Sequence, residues 1–346
     1  MRQTKYWNVQ NTINEEIRKH ALEEAAEWIR KGETIAFPTE TVYGLGANAL
    51  SDTAISRIFV AKGRPSDNPL IVHIANQEQL QDVAKSIPPL AQKIIDAFWP
   101  GPITVIVPAS SQLATKVTAG LDTVGVRMPS HSVALELIRL AGVPIAAPSA
   151  NRSGKPSPTQ ADHVAHDLDG KIAGILDGGV TGVGVESTVV DTTGEHAVLL
   201  RPGGISKEQL VELLGGVDED PALTKANETP KSPGMKYRHY APSAPVYLVK
   251  GDKERLIDKV KAAQKEGKHV GVIATEEHAS FFSGADALAV IGSRSQLSTI
   301  AHGLYTALRT MDEANVDLIY CETFTREGIG LAIMNRLMKA ANGQVI

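Results

Sequence analysis

The chain has 346 residues, 42% of them hydrophobic and 21% charged, with a formal net charge of -4. That composition suits a globular protein of about two domains of roughly 100 to 200 residues each, and excludes a disordered or fibrous chain. The negative charge argues against a protein whose main task is to neutralise a nucleic-acid backbone with massed Lys and Arg. No apolar run approaches the roughly 18 residues of a membrane span, and the opening "MRQTKYWNVQNTINEE" has no apolar leader core, so a cytoplasmic protein with no membrane partner is expected. One cysteine, Cys321 in "VDLIYCET", admits no internal disulfide and reads as a core residue.

From Ile13 to about Leu214, short apolar runs alternate with helical patterns. Strands are predicted at "TIAF" (34–37), "LIVHI" (70–74), "ITVIVP" (103–108), "VGVRM" (124–128), "VPIAA" (143–147), "AGILD" (173–177), "STVVD" (187–191) and "AVLLR" (197–201). The last two flank Gly194 as a hairpin, which predicts a mixed rather than a purely parallel sheet. Ser206 and Gln209 form a capping box that opens one more helix. Residues 215–245 are then acidic, proline-rich and aperiodic, the pattern of a long connector. Beyond it, "PVYLV", "HVGVIAT", "ALAVIG" and "VDLIYCE" alternate with helices over 253–266, 296–314 and 329–342, which predicts a small doubly wound α/β domain. The predicted organisation is 13–214, a connector 215–245, and 246–346.

Chemistry concentrates in loops. "FPTETVYGLGANAL" contains G-x-G-x-x-A, but Gly44 follows the strand by six residues and no acid ends a strand about 20 residues later, so the dinucleotide fingerprint is rejected. The alternatives are a tight strand-to-helix turn or, given Thr39, Glu40, Thr41 and Tyr43 on one loop, a polar ligand site. In "DTAISRIFVAKGRPSDNPLIVHI", Lys62 and Arg64 flank a helix end. They either complement its dipole or belong to a site held stiff by Pro65 and Pro69, with Asn68 in the same loop and His73 interrupting the next strand. "FWPGPITVIVP" reads as a packing corner around Trp99. "VPIAAPSANRSGKPSPT" runs an apolar strand into Ser149 and Asn151, where open α/β sheets bind ligands. Thr118, Arg127, Ser187 and Arg201 stand at further loops and strand ends. Walker, zincin and nucleophile-elbow motifs are absent from the sequence, and His163 with His166 lacks distant metal-ligating partners. A cleft of cations and hydroxyls without a nucleophile suits nucleotidyl transfer, where positioning and charge stabilisation dominate.

"PTETVYGLG", "KGRPSDNPL", "PSANRSGKPSPT", "ESTVVD" and "RPG", in this order, resemble the YrdC-like family. "SPGMKYRHYAP" and "GIGLAIMNRLMKAA" resemble the linker and the C-terminal end of its longer, two-domain members. The resemblance implies a twisted mixed α/β sheet followed by a Rossmann-like accessory domain. It implies the conversion of ATP, L-threonine and bicarbonate to L-threonylcarbamoyl-AMP and pyrophosphate, with Mg2+ entering with ATP and no metal site built by the protein. A downstream threonylcarbamoyl transferase complex then modifies tRNA, with at most a weak tRNA contact here.

By the same resemblance Lys62 and Arg64 are catalytic, and with Asn68, Ser149, Asn151, Arg201 and Tyr237 they bind ATP. Thr39, His73, Thr118, Arg127, Ala147 and Ser187 hold threonine or its carbamate. Tyr237 and Arg238 are expected to act as a lid over the N-terminal cleft. The competing expectations are a module binding double-stranded RNA or tRNA, which the acidity opposes, and carbamoyl transfer of the hydrogenase-maturation kind, for which one cysteine supplies no zinc-finger pairs.

Overall fold

The computed structural model describes residues 3–10, 14–223 and 240–346. Chain packing divides the molecule into two compact units, Met1–Ser153, Pro158–Gly182 and Glu186–Lys236 in one, and Gly154–Ser157, Val183–Val185 and Tyr237–Ile346 in the other.

The first unit is built on one mixed sheet. Its described strands are β1 (Lys5–Asn8), β2 (Ile35–Phe37), β3 (Gly44–Asn48), β4 (Ile71–His73), β5 (Ile103–Pro108), β6 (Thr123–Arg127), β7 (Ile145–Ala146), β8 (Gly174–Asp177), β9 (Thr188–Asp191), β10 (Val198–Arg201) and β11 (Asp218–Glu219). Their order is β1-β8-β2-β3-β7-β4-β6-β5-β9-β10-β11. The expected hairpin is present, β9 running antiparallel to β10 with Asp191 opposite Val198. All eight predicted strands occur, and β1, β3 and β11 join them. The sheet therefore runs past both ends of the 13–214 range, and β11 pairs in parallel with β10 from inside the segment read as a connector.

The "GLGAN" stretch is strand β3, not a turn. Its glycines answer to packing: a Cβ on Gly46 would lie 2.7 Å from both Ile145 Cγ2 and the Phe37 ring. Helix Glu15–Arg30 starts where Asn14 Oδ1 accepts from Glu16 and Ile17 N–H, and its buried Leu22, Ala25, Ala26 and Ile29 face the sheet. Helix Ser132–Ala141 buries Val133, Leu137 and Ile138 in the same core, where each large aliphatic side chain contributes about 1.5–3 kcal/mol. Helix Asp52–Lys62 is capped by Ser51 and ends at Gly63, whose φ of 60° takes the left-handed stop and turns the chain toward Arg64.

The second unit is a small parallel sheet, β12 (Val246–Val249), β13 (Val270–Ala274), β14 (Ala287–Val290) and β15 (Leu318–Glu322), in the order β12-β15-β13-β14. Helices Lys253–Lys265, Leu297–Glu313 and Gly330–Ala340 connect and cover it, as the alternation predicted. Cys321 is fully buried in β15, and burial pushes its thiol pKa up, so it is an inert core residue. Among the described residues no helix is long and apolar enough to cross a membrane.

Candidate active site

The proline-stiffened loop and the strand-to-loop stretch identified from sequence meet at the end of helix Asp52–Lys62. The buried Lys62 Nζ donates to the carbonyls of Ser149 at 2.5 Å and Asn151 at 2.6 Å, and lies 3.5 Å from Asn151 Oδ1. Ser149 Oγ donates to Asn151 Oδ1 at 2.5 Å, and Ser153 N–H returns to the Lys62 carbonyl at 3.0 Å. Two residues on, the buried Arg64 donates to the Asn68 carbonyl at 3.4 Å. The Asn68 side-chain amide is buried, and its nitrogen has no partner among the described residues. Burial, with the Arg64 charge beside it, pushes the Lys62 ammonium well below its ordinary pKa. An arriving anion reverses that pressure.

A second cluster forms around Arg127, the last residue of β6. Its Nη1 donates to Thr41 Oγ1 at 2.9 Å, its Nε to the Gly101 carbonyl at 3.3 Å, and its Nη2 pairs with Glu40 Oε1 at 2.7 Å. Thr41 Oγ1 is 2.8 Å from Thr39 Oγ1, which also donates to the Val42 carbonyl at 2.7 Å. His73 ends the neighbouring parallel strand and pairs with Arg127 in register. Burial, and secondarily the Arg127 charge, lowers its pKa to about 3, so the ring is neutral at any physiological pH. Its Nδ1 is buried and has no hydrogen-bond partner among the described residues, although the Ile71 and Ile145 backbones lie against the ring.

Ser187 and Arg201 form a third group, brought together by the β9–β10 pairing. Arg201 donates from Nε to the Ser187 carbonyl at 3.0 Å and from Nη2 to Ser187 Oγ at 3.1 Å, while Thr104 Oγ1 sits 2.8 Å from the same hydroxyl. Gly203 allows this closeness, since a Cβ there would lie 2.2 Å from Thr188 N and 2.4 Å from the Glu186 carbonyl. The Pro-Gly-Pro corner links the second and third groups: Gly101 accepts from Arg127, and Pro102 accepts from Thr188 N–H at 2.9 Å. The first and second groups join where Gly44 bridges Ser149 and Ala150 N–H donates to the Tyr43 carbonyl at 2.8 Å.

Three sequence-named residues stand apart from these bonds. Thr118 ends a one-turn helix, and its hydroxyl donates to the Thr115 carbonyl of that helix at 3.4 Å. Ala147 lies in the apolar core with Phe37 and Ile145, so only its backbone can serve a ligand. Tyr237, with Arg238, lies outside the described residues. Conversely, the sequence placed Glu40 and Thr41 on a polar ligand loop without giving either a role, and did not single out Thr104. The polar grouping on the 39–43 loop was the available signal for the first two, although Tyr43 in that grouping turns away to the Gly179 carbonyl at 2.7 Å. Nothing marked Thr104 within its apolar strand.

This geometry belongs to a known lineage. The family described as "Telomere recombination", Sua5/yciO/yrdC, matches residues 27–203, and the one described as "Threonylcarbamoyl-AMP synthase, C-terminal domain" matches residues 205–342. The chain is 55% identical to the threonylcarbamoyl-AMP synthase of Bacillus subtilis over 99% of both chains. It is 50% identical to that of Pyrococcus abyssi over 96% of this chain and 98% of the relative. A crystal structure of P. abyssi Sua5 complexed with L-threonine superposes with a TM-score of 0.93 at 49% identity, covering 99% of each chain. With both of its parts matched and its fold shared along nearly its whole length, the chain belongs to the Sua5/YciO/YrdC family, in the two-domain form that carries the threonylcarbamoyl-AMP synthase C-terminal domain.

Proposed function

We propose that this chain is a cytoplasmic threonylcarbamoyl-AMP synthase, joining L-threonine, bicarbonate and ATP into L-threonylcarbamoyl-AMP with release of pyrophosphate. The observation that carries the reading is the joining of two unlike clusters by the Gly44–Ser149 bridge. One holds a buried lysine hydrogen-bonded, among the described residues, to neutral oxygens, and the other a neutral buried histidine with an open ring nitrogen. The first suits a polyphosphate and the second a small amino acid.

Threonine's amine condenses with bicarbonate to a carbamate, losing water. A carbamate oxygen then attacks the α-phosphorus of ATP; the new O–P bond forms as the bond to the β-phosphate bridge breaks, and pyrophosphate departs. The substrate supplies its own nucleophile, so the protein needs none. Lys62 and Arg64 stabilise charge gathering on the phosphate oxygens, with Asn68 Nδ2 as a neutral donor and Ser149 Oγ a second once its hydroxyl turns from Asn151. His73 Nδ1, neutral, accepts a hydrogen bond from threonine without protonating its amine. Thr39 and Thr41, held by Arg127, shape the same subsite; Arg201 closes the nucleotide side, and Ser187, which accepts from it, faces the threonine carbamate.

Lys62, Arg64, Ser149 and Asn151 offer no carboxylate, and among the described residues no cluster of three metal-ligating side chains occurs. Mg2+ arriving on the triphosphate would supply further neutralisation of phosphate charge, while Lys62, Arg64, Ser149 and Asn151 would line the phosphates themselves. The product is a labile mixed anhydride, and its transfer to tRNA falls to a separate complex.

The test is pyrophosphate release with ATP, threonine and bicarbonate omitted one at a time. Each omission is expected to stop release. Release that persists without threonine refutes the reading.

A further inference from the structure

Within the C-terminal unit, a cavity of about 410 Å³ opens at the carboxyl ends of the parallel strands, a volume suited to a small ligand. Val249 ends β12 and Glu322 ends β15, and the two are partners across the ladder. From β12 the chain enters helix Lys253–Lys265, which packs on β13 and β15; from β15 it enters helix Gly330–Ala340, which packs back on β12. The two connections leave neighbouring strands in opposite directions. That divergence opens a crevice where doubly wound sheets bind ligands.

The crevice wall is charged and held in place. Glu322, only 5% exposed, pairs through Oε1 with His278 Nδ1, and its Oε2 accepts from Arg294 Nη2 at 3.0 Å and Thr275 N–H at 3.3 Å. The Thr275 hydroxyl, fully buried beside this carboxylate, has no partner among the described residues. Arg294 is fixed by its bonds to the Thr323 carbonyl at 3.2 and 3.3 Å and by the Phe324 ring 5.1 Å away, yet its side chain stays 41% exposed. The Lys253 ammonium stands 4.2 Å from the Phe281 ring centre. Val249 and Leu256 supply an apolar floor.

The charges select the ligand. Asp252 caps helix Lys253–Lys265 and Glu254 occupies its first turn, so a phosphate dianion at this helix end meets two carboxylates. A bare cation meets Lys253 and Arg294. A dipolar molecule satisfies both: its carboxylate faces the guanidinium and ammonium, its own ammonium faces Asp252, and its side chain rests on the apolar floor.

We propose that this crevice is a binding site for a free α-amino acid, separate from the threonine subsite of the N-terminal unit. The proposal stands whether or not the synthase reading holds, because its readout is local. In the full-length chain with methyl-labelled Val and Leu, the signals of Val249 and Leu256 are followed while glycine, L-serine, L-threonine, L-glutamate or L-lysine is added. Inorganic phosphate and AMP serve as class controls.

At least one amino acid is expected to shift both methyl signals saturably at millimolar concentration or below. Arg294→Ala is expected to weaken that binding at least about tenfold, or ~1.4 kcal/mol. Lys253→Ala, on the open rim, provides a second variant whose methyl spectrum reports folding directly. The proposal is overturned if no amino acid moves these signals, if both variants bind as the wild type does, or if phosphate or AMP binds where amino acids do not.

Discussion

Lys62 and Arg127 are both buried cations of the N-terminal unit, and their surroundings are opposite in kind. The hydrogen-bond partners of Lys62 among the described residues are two backbone carbonyls and an amide oxygen, and burial first, then the Arg64 charge, disfavours its charged form, with the Asp167 carboxylate only partly opposing them. Arg127 donates to a hydroxyl and a carbonyl and has the Glu40 carboxylate at ion-pair distance from Nη2, so its charge is matched although Nη2 itself makes no hydrogen bond among the described residues. A cation kept short of counter-charge is poised to gain most from an arriving anion. A cation already matched serves as a strut that orients its neighbours. Under the proposed function, the difference assigns Lys62 to the reacting phosphate and Arg127 to the threonine subsite.

The largest expected effect follows from the first role. Lys62→Ala, and likewise Arg64→Ala, should lower pyrophosphate release at saturating substrate at least about 100-fold, ~2.7 kcal/mol of transition-state stabilisation. Near wild-type turnover would remove Lys62 from the chemistry and erase the contrast. The strut role predicts a different signature. Glu40→Gln keeps the shape but frees Arg127 from its counter-charge, and should raise the threonine KM about tenfold while kcat stays within about threefold. A collapse of kcat with unchanged KM would place Glu40 and Arg127 beside the phosphates instead.

His73→Ala should also raise the threonine KM, by several-fold, since it removes one neutral acceptor; an unchanged threonine dependence would make His73 a packing residue. The smallest effect is on stability. With the His73 pKa lowered in the fold from 6.5 to about 3, only the unfolded chain takes up this proton in that interval. Its contribution is therefore neutral above pH 6.5, and the fold loses stability as pH falls from there toward 3. The melting temperature of wild type should therefore fall relative to that of His73→Phe as the buffer is acidified. Curves that stay parallel between pH 7 and 4 would contradict the assigned neutral ring.

The predicted strands were legible because each presents a compact apolar run bounded by Gly, Pro or charge, and the C-terminal β/α alternation is equally plain. β3 escaped because "GLGAN" offers almost no apolar side chain. It is a strand because Phe37 and Ile145 need the space that its glycines leave, a tertiary demand with no local trace. β1, "KYWN", and the two-residue β11 are too short and polar to announce themselves. Within the site, Lys62, Ser149 and Asn151 stood out as polar residues in proline-stiffened loops. The pairing of Glu40 with Arg127 was invisible, since two residues far apart in sequence meet only once the sheet has formed.

Gly203 shows how a residue with no side chain shapes a site made of side chains. A methyl group there would press on the Thr188 amide and the Glu186 carbonyl, on the strand whose entry carries Ser187. Backbone cannot rotate out of the way as a side chain tip can, so the strain would pass to the Ser187–Arg201 pair. Gly203→Ala would thus act as a remote wedge, changing nucleotide affinity without deleting any group that touches the nucleotide. A mutational screen would score position 203 among the ligand contacts, and a docking calculation on the unaltered backbone would miss it.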